Sequence, residues 1–302
     1  MMGFLQAECL SAFSLQVRKS PSLGILPTML LLLLLQVLAS CLWLGRSEVV
    51  TSFQSCLRFF FRETPPNDVL KPNNPAWICQ LYNNEYHFAT LYNRDLRIPV
   101  YSAYTYKPRK GPRPHIWMIE PQLIGSNYSK TMMKEDDLMS TFNVTLEEIK
   151  NSQAISQDYR NLKGLHSCRL NPSVHQPDDM SREATFTLTN IVPQNAKLNV
   201  GAWKNYVETT MTNKTKGCTT TYVVVGTVPG NNYIASGRVN VPSYIWSSAC
   251  CEMGKKQMKA WAVIAENDKN AVQLLTLGDL EDRLTELYGE GKVSLFHSDC
   301  PR

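Results

Sequence analysis

Residues 189–203 read TNIVPQNAKLNVGAW, and a shorter stretch upstream, residues 166–172, reads HSCRLNP. These two stretches decide the fold. The Thr, Phe, Leu and Ile content of Phe186–Val192 predicts a strand. Residues 200–212, which follow a Pro-Gln-Asn break, predict a helix. The segment therefore predicts a strand that leads through a short turn into a helix.

Both stretches resemble the DNA/RNA non-specific endonucleases, also called ββα-metal or His-Me finger nucleases. That family carries a strand ending in D-R-G-H, then N-x-x-P-Q, then N-x-G-x-W at the start of a helix. Residues 88–106, 117–123 and 153–159 resemble its endonuclease domain-containing 1 branch, so the resemblance covers residues 48–300. It implies an α+β fold, with a central antiparallel sheet, a ββα-metal motif and flanking helices.

The resemblance also implies a metal site. Asn199 matches the family's metal-binding asparagine, and Asn190 and Gln194 match the side chains that support it. The family's cation is usually Mg²⁺, which keeps most of its water and needs one protein ligand. Because the family contacts only the phosphate backbone, the implied partner is DNA or RNA bound without sequence specificity.

The family's catalytic histidine is replaced in this chain. The Leu-Asn-Pro tail aligns D-R-G-H-L-N-P with residues 166–172, which places Arg169 at the position of the general base. An arginine stays protonated near neutral pH. Loss of a positioned base costs roughly 10²–10⁴ in rate. We therefore expect phosphodiester hydrolysis to be impaired.

Three other titratable residues lie near the altered motif. His166 and His175 flank Arg169, but on a strand the side chains of His166 and Arg169 point to opposite faces. A relocated base at His166 is therefore the less favoured alternative to a solvated histidine. The family's supporting glutamate falls on Val207, with Glu208 displaced by one residue.

A basic, proline-rich loop occupies residues 107–115, which read KPRKGPRPH. Four cations on one loop suit non-specific, salt-sensitive binding to phosphate. A solvated loop is an equally good interpretation. The candidate nucleic-acid-binding residues are Lys107, Arg109, Lys110 and Arg113.

Alternating and amphipathic patterns predict the remaining elements. The predicted strands are His87–Tyr92, Ile98–Tyr106, Thr221–Val228, Arg238–Trp246 and Lys259–Ala265. The predicted helices cover residues 49–61 and Leu277–Tyr288. No Gly/Ser-rich linker follows the N-terminal segment, so we expect one nuclease-like domain over residues 48–302.

The N-terminal segment has the pattern of an export signal. Residues 25–45 read ILPTMLLLLLLQVLASCLWLG, with Arg18 and Lys19 upstream. This pattern is typical of a signal peptide over residues 1–47, cleaved near Ser47, and predicts a secreted, extracellular protein. An uncleaved membrane anchor is the alternative, and Met29 offers an alternative start.

Export to an oxidising compartment favours disulfides among the cysteines that follow the signal. We expect Cys168, which lies in the altered motif, to be the thiol left unpaired within the chain or to form an intermolecular bridge. The expected bonds are Cys56–Cys79 and Cys218 with either Cys250 or Cys251. Three glycosylation sequons fit the same compartment, at Asn127, Asn143 and Asn213.

Composition excludes several classes but does not identify a function. The 302 residues carry a net charge of +5, too small an excess to indicate nucleic-acid binding. The absence of GxGxxG, GxxxxGK[ST], GxSxG and HExxH excludes the common nucleotide-binding and hydrolase motifs. The combined prediction is a secreted nuclease-family protein with impaired hydrolysis. The alternatives are a non-enzymatic secreted binding protein and an active nuclease that uses His166 or His175.

Overall fold

The structure is a computed structural model that describes residues 49–114, 116–254 and 257–302. Its strands are β1 (Val49–Val50), β2 (Pro75–Tyr82), β3 (Glu85–Asn93), β4 (Ile98–Thr105), β5 (Leu165–Arg169), β6 (Ile191–Asn195), β7 (Cys218–Val228), β8 (Asn232–Ile234), β9 (Val239–Val241), β10 (Tyr244–Met253), β11 (Met258–Glu266) and β12 (Gln273–Leu275). Its α-helices are α1 (Glu135–Phe142), α2 (Leu146–Ser152), α3 (Asp179–Ala184), α4 (Ala196–Val200), α5 (Ala202–Asn205), α6 (Met211–Lys214) and α7 (Leu277–Tyr288). Short 3₁₀ turns occupy Leu57–Phe59, Phe61–Glu63, Asp68–Leu70, Pro121–Leu123, Ser156–Tyr159, Ser173–His175 and Leu188–Asn190.

One large sheet organises the part of the chain that the structure describes. Its strand order is β1-β2-β3-β4-β7-β10-β11-β12, and each neighbouring pair is antiparallel. Strands β3, β4, β7 and β11 confirm four of the predicted strands, and α7 confirms the predicted C-terminal helix. The prediction of an α+β fold with a central antiparallel sheet is confirmed.

Both faces of the sheet are covered, because successive residues of a strand point to opposite sides. Val224 packs with Leu280 of α7 and with buried phenylalanines of the N-terminal segment. Its neighbours Val223 and Val225 pack on the other face with Trp203, which follows α4. The second face therefore carries the candidate site.

A smaller strand pair forms the predicted ββα unit. Strands β5 and β6 pair antiparallel, with Arg169 opposite Ile191, and α4 starts directly after β6. The predicted strand Phe186–Val192 is wrong in its bounds. Thr187 forms only an isolated bridge to Met118, and Leu188–Asn190 turns as a 3₁₀ segment before β6 begins at Ile191.

The predicted helix over residues 200–212 is part of a longer helical segment, Ala196–Lys214, that is interrupted at Gly201. The interruption requires glycine, since a Cβ there would lie 2.4 Å from Asn270 Oδ1 and 2.7 Å from Lys197 O. Asn270 Oδ1 accepts from Ala202 N at 2.8 Å and so restarts the helix. Tyr206–Thr210 forms a π-helical turn within the segment.

Two other element predictions are wrong. Residues 49–61 form β1 and 3₁₀ turns instead of a helix, because the consecutive Phe59, Phe60 and Phe61 are all buried and one helix face cannot hold three successive side chains. The predicted strand Arg238–Trp246 is two strands, β9 and β10. Pro242, which has no N–H to donate, lies between them.

The disulfides are Cys56–Cys79, Cys218–Cys251 and Cys250–Cys300, and Cys168 is a buried free thiol. The first bond and the free thiol confirm the predictions. Of the two partners considered for Cys218, Cys251 is the one observed. Cys250, which was the other candidate partner of Cys218, is bonded to Cys300. Adjacent residues of β10 point to opposite faces, so Cys250 and Cys251 belong to different cores.

The predicted signal peptide or anchor, residues 1–47, lies outside the described residues and stays a prediction. Within the described ranges, no helix has both the length and the apolar character needed to cross a bilayer. The three sequon asparagines are exposed: Asn127, Asn143 and Asn213.

Peptide mapping under non-reducing conditions checks the disulfides. We expect the peptide that contains the adjacent Cys250 and Cys251 to be joined to both the Cys218 and the Cys300 peptides, and Cys168 to be free. Stepwise partial reduction, with alkylation after each step, should assign Cys251 to Cys218 and Cys250 to Cys300. Removal of the Cys250–Cys300 bond by the double change C250S/C300S should lower the free energy of unfolding by about 2–4 kcal/mol. Partial reduction of native protein that alkylates Cys218 together with Cys250 would show that the assigned pairing is wrong.

Candidate metal and phosphate site

The buried carboxamide of Asn190 attaches the ββα unit to the central sheet. Its Oδ1 accepts from Ser102 Oγ of β4 and from Asn171 N, each at 3.0 Å. Its Nδ2 donates to Asn171 O at 3.1 Å and to Thr185 O at 2.9 Å. Four hydrogen bonds satisfy the amide fully, so the predicted supporting residue Asn190 has a structural role.

Gln194, the penultimate residue of β6, orients Asn199. Gln194 is fully buried, and its Oε1 accepts from Asn199 Nδ2 at 2.5 Å. This bond leaves Asn199 Oδ1 facing the exposed side chain of His166, whose Nδ1 lies 3.4 Å away. The structure thus brings His166 next to the predicted metal ligand.

Asn195 determines where α4 begins. Its side-chain oxygen accepts from Lys197 N at 3.0 Å and from Leu198 N at 3.2 Å, which is the bonding pattern of an N-cap. The Asn195 N–H donates to Asn267 Oδ1 at 2.9 Å, and this bond ties the cap to the end of β11. Asn199 is therefore held within a short, anchored helix.

Cys168 lies on the same face of β5 as His166, beside Asn199, and its thiol donates to Arg169 O at 3.6 Å. Burial raises the pKa of the Cys168 thiol to about 12. The thiol is therefore protonated at neutral pH and is not nucleophilic.

Arg169 points away from this group of amides. Its guanidinium carbon lies 4.1 Å from the ring centroid of Phe186, a cation–π contact. Burial, together with the positive charge of Arg113, lowers the pKa of Arg169 to about 10. The side chain is still protonated at neutral pH and cannot accept a proton from water.

A cleft of about 720 Å³ opens beside Arg169. Arginines and a lysine dominate its charged lining, and Glu208 is the single acidic residue among the described residues that line it. Such an excess of positive charge attracts phosphate. The cationic lining residues are Arg109, Lys110, Arg113, Arg169 and Arg182.

The basic loop is attached to the cleft rather than free. Lys107 N donates to His175 O at 3.0 Å, and Arg109 N donates to Gln176 O at 3.2 Å. The Arg182 guanidinium donates to Arg109 O at 3.1 Å and pairs with Asp179. Three of the four predicted loop cations line the cleft, whereas the fourth, Lys107, is exposed and is not among the lining residues.

His175 is buried at the base of the cleft, and both of its ring nitrogens are engaged. Nε2 lies 2.9 Å from Val207 O and must donate to that carbonyl, so Nδ1 accepts from Tyr104 Oη at 2.9 Å. Burial lowers the pKa of His175 to about 4. A neutral imidazole with no free nitrogen cannot serve as a general base.

Glu208 reaches the cleft despite its displacement by one residue from the family's position. It lies in the π-helical turn Tyr206–Thr210, where Met211 N donates to Tyr206 O. A π turn holds one more residue than an α-helical turn. Val207 and Glu208 therefore both line the cleft although they are consecutive residues.

Residues 65–287 match the model of a protein family described as DNA/RNA non-specific endonuclease. That match covers more than half of the chain and includes the ββα unit, the cleft and most of the central sheet. This chain belongs to the DNA/RNA non-specific endonuclease family. The prediction of the family is confirmed.

Two curated relatives carry the name "Endonuclease domain-containing 1 protein". The Homo sapiens protein is 28% identical over 259 residues, which are 84% of this chain and 49% of the relative. The Mus musculus protein is 28% identical over 257 residues, which are 82% and 48%. The chain therefore spans about half the length of these relatives.

A chain in the crystal structure of the EndoG/EndoGI complex has a TM-score of 0.47 and 16% sequence identity to this chain. The superposition covers 74% of this chain and 89% of the other.

The family implies a divalent cation, and the donor set at Asn199 fits one. Within the described residues, no three side chains among His, Cys, Asp and Glu cluster as a metal site. Asn199 instead offers one oriented amide oxygen, fixed by Gln194. Hydrated Mg²⁺ needs only one or two protein oxygens.

The predicted site residues fall into two groups on opposite faces of β5. The first group consists of Asn199, Gln194, His166 and Cys168, of which Cys168 was not predicted to be a site residue. The second group consists of Arg169, Glu208 and the basic loop. Arg182 and Phe186 were missed as members of the second group. Their contacts form across the fold, and no local spacing in the sequence indicates them.

Unfolding as a function of pH tests the neutral, buried His175. Since its folded pKa of about 4 lies below the ordinary 6.5, the unfolded chain binds more protons between these values. Stability should therefore rise with pH from 4 to 6.5, by at most about 1.4 kcal/mol per pH unit from this residue. Urea unfolding should show this slope, and His175→Gln should remove it.

His297→Gln, a change at a partly exposed histidine, is the matched control and should keep the slope. If the H175Q variant and the unmodified protein depend equally on pH, His175 is not the group responsible.

Proposed function

We propose that this chain binds the phosphate backbone of DNA or RNA in the cationic cleft and that its phosphodiester hydrolysis is impaired. The observation that carries the proposal is the Arg169 guanidinium, at the family's histidine position and lining the cleft. Arg169 stays protonated at neutral pH, and a charged guanidinium that lines a cleft suits a phosphate oxygen.

Other residues of the cleft do not supply the missing base. His175 is neutral with both nitrogens engaged, and Arg113 adds charge beside Arg169. Glu208 is the one carboxylate among the described residues that line the cleft, and it lies one residue after the position of the family's supporting glutamate. Binding without a positioned base leaves hydrolysis slower by roughly 10²–10⁴.

Asn199 would hold the family's Mg²⁺ through Oδ1, and the cation would stabilise the charge that develops on the phosphate and the leaving oxygen. Gln194 keeps the amide in that orientation, and Asn190 keeps the ββα unit on the sheet. Arg169 and Arg113 contribute positive charge from the other face of β5.

A working nuclease with a relocated base is the second candidate. It is favoured by the position of His166, whose Nδ1 lies 3.4 Å from Asn199 Oδ1. A non-enzymatic secreted protein that binds another polyanion is the third, and the cationic cleft would serve it equally well.

Plasmid nicking in Mg²⁺ separates the candidates. We expect the unmodified protein to nick slowly. Arg169 is the last residue of β5, where the two faces of the strand meet, so Arg169→His should place a base within reach of a phosphate held at that end and raise the rate at least about tenfold. Arg113→His is the matched control, since it places a histidine in the same cleft away from the base position. It should leave the rate unchanged.

Fast nicking by the unmodified protein that His166→Ala abolishes would favour the relocated base. Fluorescence anisotropy measures the binding of a labelled duplex in the absence of metal. This binding should weaken as the salt concentration rises. Stronger binding to heparin than to DNA at equal salt would favour the third candidate.

The same proposal includes secretion as a glycoprotein after removal of residues 1–47. Three disulfides in the described domain suit an oxidising compartment. The exposure of Asn127, Asn143 and Asn213 leaves each sequon accessible to glycan transfer.

Expression in cultured mammalian cells tests the export proposal. We expect the protein in the medium with its N-terminus near Glu48, and a lower mass after treatment with peptide N-glycosidase. Asn→Gln changes at the three sequons should remove the glycan mass stepwise. Retention in the membrane fraction with the N-terminal segment intact would instead support the anchor.

A further inference from the structure

The face of β5 opposite the cationic cleft brings together two metal-binding atoms. We propose that His166 Nδ1 and Asn199 Oδ1 bind one divalent cation jointly, and that this pair selects Zn²⁺ or Co²⁺ over Mg²⁺. The inference rests on the proposed function only in taking Asn199 as a metal ligand. It assigns His166 as a second ligand.

The distance between the two atoms suits a shared tetrahedral ion. Zn²⁺ binds nitrogen and oxygen at about 2.0–2.2 Å, so two ligands of a tetrahedral site lie about 3.3–3.6 Å apart. His166 Nδ1 and Asn199 Oδ1 are 3.4 Å apart. Adjacent ligands of octahedral Mg²⁺ at about 2.1 Å lie only about 3.0 Å apart. A direct hydrogen bond is also usually nearer 2.9–3.0 Å.

The pair is held in place by the backbone and by Gln194. His166 is directly opposite Gln194 in the β5–β6 register, and Gln194 Oε1 accepts from the Asn199 amide nitrogen. The amide oxygen is therefore directed to the imidazole. Since His166 is exposed and Asn199 is partly exposed, water can complete the coordination of the ion.

The charges on this face permit a cation. The Arg169 guanidinium stacks on Phe186 and lines the cleft on the opposite side of β5. The guanidinium that replaces the family's base is thus directed away from the ion. An imidazole ligand also changes selectivity, because nitrogen ligands suit zinc and cobalt, whereas Mg²⁺ prefers oxygen.

Titration of the metal-free full chain with Co²⁺ and Zn²⁺ tests the proposal. Bound Co²⁺ should give the visible absorption of a low-coordinate site with one nitrogen ligand, at one ion per chain. Calorimetry should show Zn²⁺ binding at least about tenfold tighter than Mg²⁺. His166→Ala should weaken Zn²⁺ binding by about 10–100-fold and leave Mg²⁺ binding within about threefold.

Two matched variants complete the experiment. His297→Ala removes a partly exposed histidine elsewhere and should leave Zn²⁺ binding unchanged. Cys168→Ser removes the thiol next to Asn199 and should also leave it unchanged, since the proposal names two protein ligands. Asn199→Ala should abolish binding of both Zn²⁺ and Mg²⁺.

Equal Zn²⁺ affinity in the unmodified protein and the H166A variant would overturn the proposal, as would tighter binding of Mg²⁺ than of Zn²⁺. Loss of Zn²⁺ binding in C168S or H297A would overturn the assigned ligand pair. Duplex binding measured in EDTA reports on the cationic cleft alone. A failed proposed function therefore appears as lost duplex binding, and a failed inference appears only in the metal titrations.

Discussion

The carboxamide of Asn190 is the interaction on which the rest of the site depends. Its four hydrogen bonds connect Ser102 on the central sheet with the backbone of Asn171 and Thr185. A buried amide left unpaired costs about 1–3 kcal/mol. This requirement specifies where β6 begins against the sheet. The start of β6 in turn determines which residues of β5 and α4 face one another.

The alternation of β5 then divides the chemistry between two faces. His166 and Cys168 face the amide of Asn199, whereas Arg169 faces the basic loop and Phe186. If β5 were shifted by one residue in its pairing with β6, Arg169 would face Asn199, and His166 and Cys168 would face the basic loop. In the proposed function, the cation at Asn199 and the phosphate beside Arg169 would approach each other from the two faces at the end of β5.

Prediction succeeded where a local pattern carries the information. The 3.6-residue period predicted Leu277–Tyr288 without error, and the resemblance of residues 166–172 and 189–203 to the family's motifs identified the ββα unit. It failed where burial on two sides overrides the local pattern. The three phenylalanines at 59–61 fill one core from irregular turns, and the backbone near Leu188 turns before its strand begins.

The sequence by itself determined the family, most of the sheet-forming segments, the free thiol at Cys168 and the presence of an arginine where the family's motif has histidine. These properties follow from the identity of single residues, from local patterns and from the resemblance of short motifs. All of these can be read along the chain without knowledge of its tertiary contacts. Only the tertiary structure decided that Cys218 bonds Cys251, that His175 is neutral and enclosed, and that His166 meets Asn199. Each of these contacts depends on the face of a strand to which a side chain points and on the segment that packs against that face. The packing segment is distant in sequence, so no local pattern indicates it.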